Sequence, residues 1–326
     1  MTQATEQVER RLALFTQAYR GLREQLGRVI VGHAQAVEQV LIGLLTGGHV
    51  LLEGVPGLGK TLLVRTLADC LDLKFSRIQF TPDLMPADIT GTDLVVQTEA
   101  GGRDFRFRPG PIFAHIVLAD EINRATPKTQ SAVLEAMQEG SVTVGRTTHR
   151  LAEPFYLLAT QNPLELEGTY PLPEAQLDRF AYKVLVASPS EAELMEILAR
   201  TTVGAWPTAA RVADGPALLE MRQLVREAAV AEPVARHVAR LVRNSHPDAD
   251  GAPPLVRKYV RHGCSPRAGQ ALLLGGKAAA LAAGRLQIDF DDVRRLVGPA
   301  MRHRLILNFD AEADGVGPDA ILAELV

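Results

Sequence analysis

The chain has 326 residues, 47% hydrophobic and 22% charged, a globular balance with length enough for two domains and a sizeable core. Its formal net charge of −3 supplies no global field for nucleic acid or an anionic membrane, so either partner would need a local patch. Cys70 and Cys264 lie far apart with no C-x-x-C pair, which argues against a disulfide framework or a zinc site and makes a reducing cytoplasm the expectation.

Met1 to Arg11 is polar and acidic, unlike a signal peptide, and no apolar run reaches membrane-spanning length. A soluble, cytoplasmic protein is expected. From Glu6 to Leu26, apolar residues at Val8, Leu12, Leu14, Phe15, Tyr19 and Leu22 follow helical spacing. This helix leads into Val29-Ile30-Val31-Gly32-His33, where His33 reads as a helix-start or packing residue rather than a catalyst. A second helix, Ala34 to Leu45, ends at Gly47-Gly48, a C-cap signal.

His49 to Glu53 is a short apolar run that predicts a buried parallel strand. Gly54-Val55-Pro56-Gly57-Leu58-Gly59-Lys60-Thr61 fits G-x-x-x-x-G-K-[ST], and Leu62 to Ala68 reads as a helix. Strand, glycine-rich turn and helix together make a phosphate-binding P-loop. Its backbone N–H groups and the helix N-terminus would face an anion. Lys60 would reach the β- and γ-phosphates, and the Thr61 hydroxyl would hold Mg²⁺.

Lys74 to Phe80 is a candidate second strand, and Thr81 to Gly91 is broken by Pro82 and Pro86. Within Asp93–Phe113, Leu94 to Gln97 and Phe105 to Arg108 flank Ala100-Gly101-Gly102, a hairpin signal. Phe105 and Phe107 share one face, Arg106 and Arg108 the other. That alternation suits nucleic-acid contact, whereas the acidic whole favours a half-buried hairpin with a solvated face. Ile116 to Glu121 then ends four apolar residues in two carboxylates, at the strand end where ligands of open α/β sheets bind. Asp120 would hold Mg²⁺ and Glu121 would polarise the attacking water.

Thr126 to Glu139 is a predicted helix with Val133, Leu134 and Met137 on one face, and Gly140 to Leu151 a second hairpin around Gly145-Arg146. Phe155 to Thr160 predicts another buried strand, followed by Gln161-Asn162-Pro163. Asn162 either orients the water or γ-phosphate, or simply makes a turn before proline. A last strand, Ala181 to Ala187, follows Leu177-Asp178-Arg179-Phe180. Ser188-Pro189-Ser190-Glu191 marks a boundary, with Ser188 as N-cap, Pro189 at N1 and Glu191 at N3. Beyond it the pattern is helical over 191–200, 216–231, 234–244, 266–283 and 290–302, with loops at 201–214 and 248–254. Arg294, Arg295, Arg302 and Arg304 read as a solvated helical face or as contacts to phosphates or acidic partners.

These motifs, in this order, resemble those of an AAA+ ATPase, and within that superfamily the MoxR-type group. Gly54 to Thr61 looks like Walker A and Ile116 to Glu121 like Walker B. Asn162 matches sensor 1, Arg179 the arginine finger and Arg267, in Ser-Pro-Arg-Ala, sensor 2 at the start of a lid helix. Asp120 to Ala125 and Glu174 to Phe180 are the more group-specific strings, and the two hairpins resemble the helix-2 insert and the pre-sensor-1 hairpin.

The resemblance implies an α/β P-loop sheet flanked by helices over residues 1–187 and a smaller all-α lid over 188–326. ATP would sit between them. Val31 and Gly32 would line the adenine pocket, and Gly54, Pro56, Gly57, Leu58, Gly59, Lys60, Thr61, Leu62 and Asp120 would contact the nucleotide. Mg²⁺ would lie on Thr61 and Asp120, and catalysis would use Glu121, Asn162, Arg179 and Arg267. Arg179 would reach a neighbour's γ-phosphate, against the local alternative of an intrachain ion pair with Asp178. A hexameric ring is implied, acting on a client protein, often with a partner carrying a von Willebrand factor type A domain. Because the chain ends soon after the lid, clients are expected at the hairpins, the pore or a separate protein. A DNA motor or loader and a small-molecule kinase are the competing classes.

Overall fold

The computed structural model describes residues 3–97, 102–164, 168–202, 204 and 207–326. The first half runs α1 (Gln3–Val29), α2 (Ala34–Thr46), β1 (Val50–Glu53), α3 (Lys60–Cys70), β2 (Phe75–Gln79) and α4 (Pro86–Thr90). A hairpin of β3 (Gly91–Gln97) and β4 (Arg103–Pro109) follows, then β5 (Ile116–Asp120) and α5 (Pro127–Glu139). A second hairpin, β6 (Ser141–Val144) and β7 (Thr147–Arg150), precedes β8 (Tyr156–Gln161), α6 (Glu174–Leu177) and β9 (Tyr182–Leu185). The rest is nearly all helical: α7 (Glu191–Thr202), α8 (Gly215–Glu227), α9 (Glu232–Asn244) and α10 (Pro254–Tyr259). A short strand β10 (Val260–His262) leads to α11 (Pro266–Ala282), α12 (Phe290–Arg294) and α13 (Val297–Met301). The chain closes with β11 (Ile306–Leu307), α14 (Phe309–Ala313) and α15 (Pro318–Leu325).

Five strands form one parallel sheet in the order β2-β5-β8-β1-β9. Because all are parallel, every C-terminal strand end lies on one edge, and the P-loop, Asp120-Glu121 and Asn162 follow three of those ends. Side chains alternate between two buried layers. Val50, Leu52, Leu118, Leu158 and Val184 face one core, whereas Leu51, Val117, Ala119, Leu157 and Ala159 face the other. The first core is continuous with the C-terminal helices. It runs from Phe15, Leu22 and Leu26 of α1 to Leu218 of α8, Leu272 and Leu281 of α11 and Met301 of α13. The Tyr182 hydroxyl donates to the Ala271 carbonyl at 2.7 Å across the same seam. The helical part therefore packs on α1, α2 and the edge strand β9 through buried apolar contact, which removes that area from water.

Three expectations change. The capping box of α7 uses Ser190 and Glu193: the Glu193 carboxylate accepts from the Ser190 N–H at 2.8 Å. The box thus lies two residues beyond Ser188 and Glu191, because the helix starts only after the second serine. The β3–β4 hairpin is exposed on both faces rather than half-buried. No layer of the core covers it, and Phe105 is 73% and Val95 57% exposed. Phe107 stacks on His149 of the second hairpin with centroids 3.8 Å apart. The apex residues Ala100 and Gly101 lie outside the described residues. Arg304 is also no solvated charge; it is 6% exposed.

Candidate active site

Beyond β1 the chain turns through Gly57 and Gly59, with φ of 84° and 75°, a left-handed backbone that glycine adopts without a Cβ penalty. Gly59 is the N-cap of α3, so Lys60 and Thr61 begin the helix. The Lys60 ammonium folds over the loop and donates to the Gly54 carbonyl and, at 2.9 Å, to the Val55 carbonyl. Burial lowers its pKa, and Asp120 and Glu121 pull it back up. Two strands away, Asp120 ends β5 buried, with its Oδ2 3.5 Å from the Thr61 hydroxyl. A hydroxyl and a carboxylate oxygen turned towards each other are hard donors suited to Mg²⁺. Thr61 and Asp120 thus fit the ion.

Glu121 has φ 56°, a left-handed conformation that costs a non-glycine residue roughly 1–2 kcal/mol. The buried hydroxyl of Thr160, at the end of β8, holds it there. Thr160 accepts from the Glu121 N–H at 2.8 Å and donates to Asp120 Oδ1 at 2.6 Å. One side chain thus positions both acids. The Glu121 carboxylate accepts from Gln79 Nε2 at 2.7 Å and from Arg124 Nη1 at 2.9 Å. Asp120 Oδ2 accepts from Arg77 Nε at 2.9 Å. Asn162 is buried, and its Oδ1 accepts from the Leu164 N–H at 3.1 Å, a turn. The amide nitrogen of Asn162 is the group that this turn leaves unused.

Beside the P-loop lies a cavity of about 400 Å³ walled by Val31, His33, Pro56, Leu58 and Leu62, and on the far side by Leu194, Ile197 and Thr201 of α7. It is apolar, as a purine ring requires. At Gly32 (φ 70°) a Cβ would meet the end of the Glu193 side chain, so α7 closes against a left-handed position that glycine takes without strain. A cavity of about 760 Å³ between α1 and α8 contains none of the motif residues.

Arg179 and Arg267 are not at this edge. They line a separate cavity of about 270 Å³ with Gly47, Gly48 and Arg304. It sits where β1 and β9 begin, marked by the Ala181 N–H to His49 carbonyl bond. The four residues of β1 separate the two edges by roughly 13 Å. Asp178 organises this second cluster. It accepts from Ser265 Oγ at 2.7 Å, Arg304 Nε at 2.8 Å and Arg267 Nη1 at 3.2 Å. Burial raises the Asp178 pKa, but the hydroxyl and the two guanidinium groups outweigh that and hold it below the usual carboxylate range. Arg304 also donates to the carbonyls of Asp178, Phe180, Ala181 and Ala300. Arg179 itself donates to the Leu134 carbonyl at 3.0 Å and not to Asp178. Arg267, expected at the entrance of a lid closing on its own P-loop, is instead an Asp178 partner at the opposite edge.

Comparison with known proteins identifies the family. The ATPase family associated with various cellular activities (AAA) matches residues 49–182 and the AAA lid domain residues 252–325. A solved structure from Cytophaga hutchinsonii, described only provisionally as an ATPase, superposes with a TM-score of 0.91 at 37% identity, over 99% of this chain and 98% of that one. Chaperone MoxR1 of Mycobacterium tuberculosis is 43% identical over 91% of this chain and 78% of its own length. The chain belongs to the MoxR-type AAA+ ATPases. YeaC of Bacillus subtilis, an uncharacterized protein, is 42% identical over 93% and 91% of the two chains. Among the described residues of this MoxR-type protein, no helix is long and apolar enough to cross a membrane.

Several residues of the MoxR-type site escaped the sequence reading. Thr160 was visible only as the end of an apolar run. Arg77 and Gln79 alternate in Phe-Ser-Arg-Ile-Gln, a period-2 pattern that would put both on one strand face. Arg304 reads in sequence as a solvated charge or a contact to phosphates or acidic partners, and nothing local to it points to Asp178, 126 residues earlier.

Proposed function

We propose that this MoxR-type protein is a Mg²⁺-dependent ATP hydrolase, working as a head-to-tail ring that remodels a client protein. The adenine would lie between Val31-Gly32 and α7, with the phosphates along the Gly54–Thr61 backbone N–H groups. Thr61 and Asp120 would hold Mg²⁺, which would neutralise charge on the β- and γ-phosphates. Glu121, fixed by Thr160, takes the proton from the attacking water. The Asn162 amide orients that water or the γ-phosphate.

One observation carries the ring: Arg179 and Arg267 lie at the sheet edge opposite their own P-loop. A cationic pair at that distance is out of reach of its own nucleotide and would serve that of another subunit. A contact between unlike faces repeats head to tail and makes a ring where the rotation closes, for which six subunits is the expectation from the resemblance. Arg179 supplies transition-state charge there, a contribution of about 10³–10⁵ in rate where such fingers operate. Arg267 joins it across the same interface. The exposed β3–β4 hairpin offers apolar and basic side chains to a client or an adaptor such as a von Willebrand factor type A domain. No observation favours a DNA motor.

Mixed rings test this. Glu121→Gln and Arg179→Ala rings should each be inactive alone. After confirmed co-assembly in equal amounts, roughly a quarter of the interfaces pair an intact Glu121 with an intact Arg179, by the symmetry of the interface. ATPase activity should reappear. Confirmed mixed rings without activity would show that Arg179 does not act between subunits.

A further inference from the structure

Both acids at the end of β5 are already gripped from β2. Arg77 places two nitrogens on one oxygen of Asp120: Nε at 2.9 Å and Nη2 at 2.7 Å, both to Oδ2. The other oxygen, Oδ1, belongs to Thr160. Oδ2 is also the oxygen facing the Thr61 hydroxyl, so the guanidinium occupies the atom that would bind the metal. We propose that Arg77 is a resident counter-cation of Asp120, which Mg²⁺ must displace when it binds with nucleotide. This rests on the reading of Thr61 and Asp120 as the magnesium ligands.

Mg²⁺ demands near-octahedral oxygen ligation at about 2.0–2.1 Å, directly or through its waters. It cannot share Oδ2 with two guanidinium donors, since they fill the lone-pair directions and carry like charge. Arg77 is free to leave. Its side chain is 47% exposed, and its Nη2 already reaches the side-chain oxygen of Gln79, one strand step away on the same face. Gln79 in turn donates to the Glu121 carboxylate. Asp120, Arg77, Gln79 and Glu121 thus form one chain of contacts, so releasing Arg77 also alters what restrains the water-activating acid. While no metal is bound, Arg77 keeps a buried carboxylate paired, and an unpaired one would be costly. The same pairing raises the magnesium concentration needed to complete the site.

The test is binding of a fluorescent ADP as Mg²⁺ is titrated, in wild type, Arg77→Gln and Arg77→Lys. Gln keeps a neutral donor and removes the charge; Lys keeps the charge without the fork. The magnesium midpoint should fall roughly tenfold in Arg77→Gln, equivalent to ~1.4 kcal/mol, with Arg77→Lys between. ADP affinity in EDTA should stay within about twofold of wild type, a margin far inside that tenfold step. An unchanged midpoint overturns the proposal. So does a large loss of ADP affinity in EDTA, which would make Arg77 a nucleotide contact instead. If magnesium leaves ADP binding by wild type unaffected, the assignment of Thr61 and Asp120 as ligands falls and takes the proposal with it. Absence of ADP binding in every variant and in wild type would reject the nucleotide reading itself.

Discussion

The two edges of the central sheet are built in opposite ways. At the P-loop edge, a few consecutive residues at each strand end provide the chemistry, and their contacts are exchangeable. Lys60 rests on backbone carbonyls, Arg77 on Asp120 and Gln79 on Glu121. Each is a partner that a phosphate, a metal or a water could replace. At the far edge, Asp178, Ser265, Arg267 and Arg304 come from segments far apart in sequence, and Arg304 is enclosed by carbonyls and a carboxylate. The first edge is made to change partners. The second holds Arg267 and Arg304 together on one carboxylate.

Breaking the fixed edge should therefore cost the most. Arg304→Met removes a buried guanidinium and leaves Asp178 short of a buried charged partner, the type of loss that costs about 3–5 kcal/mol. Urea unfolding should show that fall, and Arg304→Lys should not restore it, since an ammonium cannot reach the carbonyls of Asp178, Phe180 and Ala181 together. A change below about 1 kcal/mol, the size of an ordinary surface pair, would mean the cluster is not the rigid element described.

The contrast also explains what was legible beforehand. The P-loop, Asp120-Glu121 and Asn162 are contiguous strings placed by strand ends, so spacing alone locates them. The parallel sheet follows from the same apolar runs. The arginine cluster depends on where the helical part docks, and the docking surface is spread over Leu22, Leu218, Leu272 and Met301, which no local pattern links. That is why Arg267 was expected beside its own P-loop. Thr160 and Arg77 were hidden for another reason: each has a plain strand residue's pattern, and only the neighbouring strand gives it a role.

Acid sharpens the comparison at a second point near the fixed edge. His49, immediately before β1, has both ring nitrogens in use: Nε2 donates to the Met137 carbonyl at 3.0 Å, and Nδ1 accepts from the Leu157 N–H at 3.0 Å. A protonated ring would lose the second bond. Burial lowers its pKa to about 4, with a small opposing effect of the Met137 carbonyl. The unfolded chain takes up that proton near pH 6.5, so the folded state binds fewer protons between these values. Stability from His49 is complete above pH 6.5 and is lost as pH falls towards 4, by ~1–3 kcal/mol. His303, buried and also lowered, has the same sign. In His49→Asn the slope of unfolding free energy against pH over this window should shrink while the His303 share remains. An identical slope would show that His49 does not titrate as its contacts require.

The smallest expected effect lies at the hairpin, where two aromatic residues on one strand face differ only in what they touch. Phe107 stacks on His149 at 3.8 Å and meets Phe113 edge-on at 5.5 Å, and such pairs contribute about 0.5–1.5 kcal/mol beyond their burial. Phe105 is 73% exposed, and truncating an exposed side chain with no such partner changes stability by about 0.5 kcal/mol or less. Phe107→Ala should therefore lower the unfolding free energy by ~1 kcal/mol or more, and Phe105→Ala should leave it within error. Basal ATPase activity should survive in both, because neither approaches the P-loop edge. If Phe105 contacts a client, its variant alone should abolish client-dependent stimulation while remaining as stable as wild type. Equal destabilisation by the two substitutions would mean that the hairpin is held down on both sides of Phe105, and that it is a structural flap rather than a surface offered to a partner.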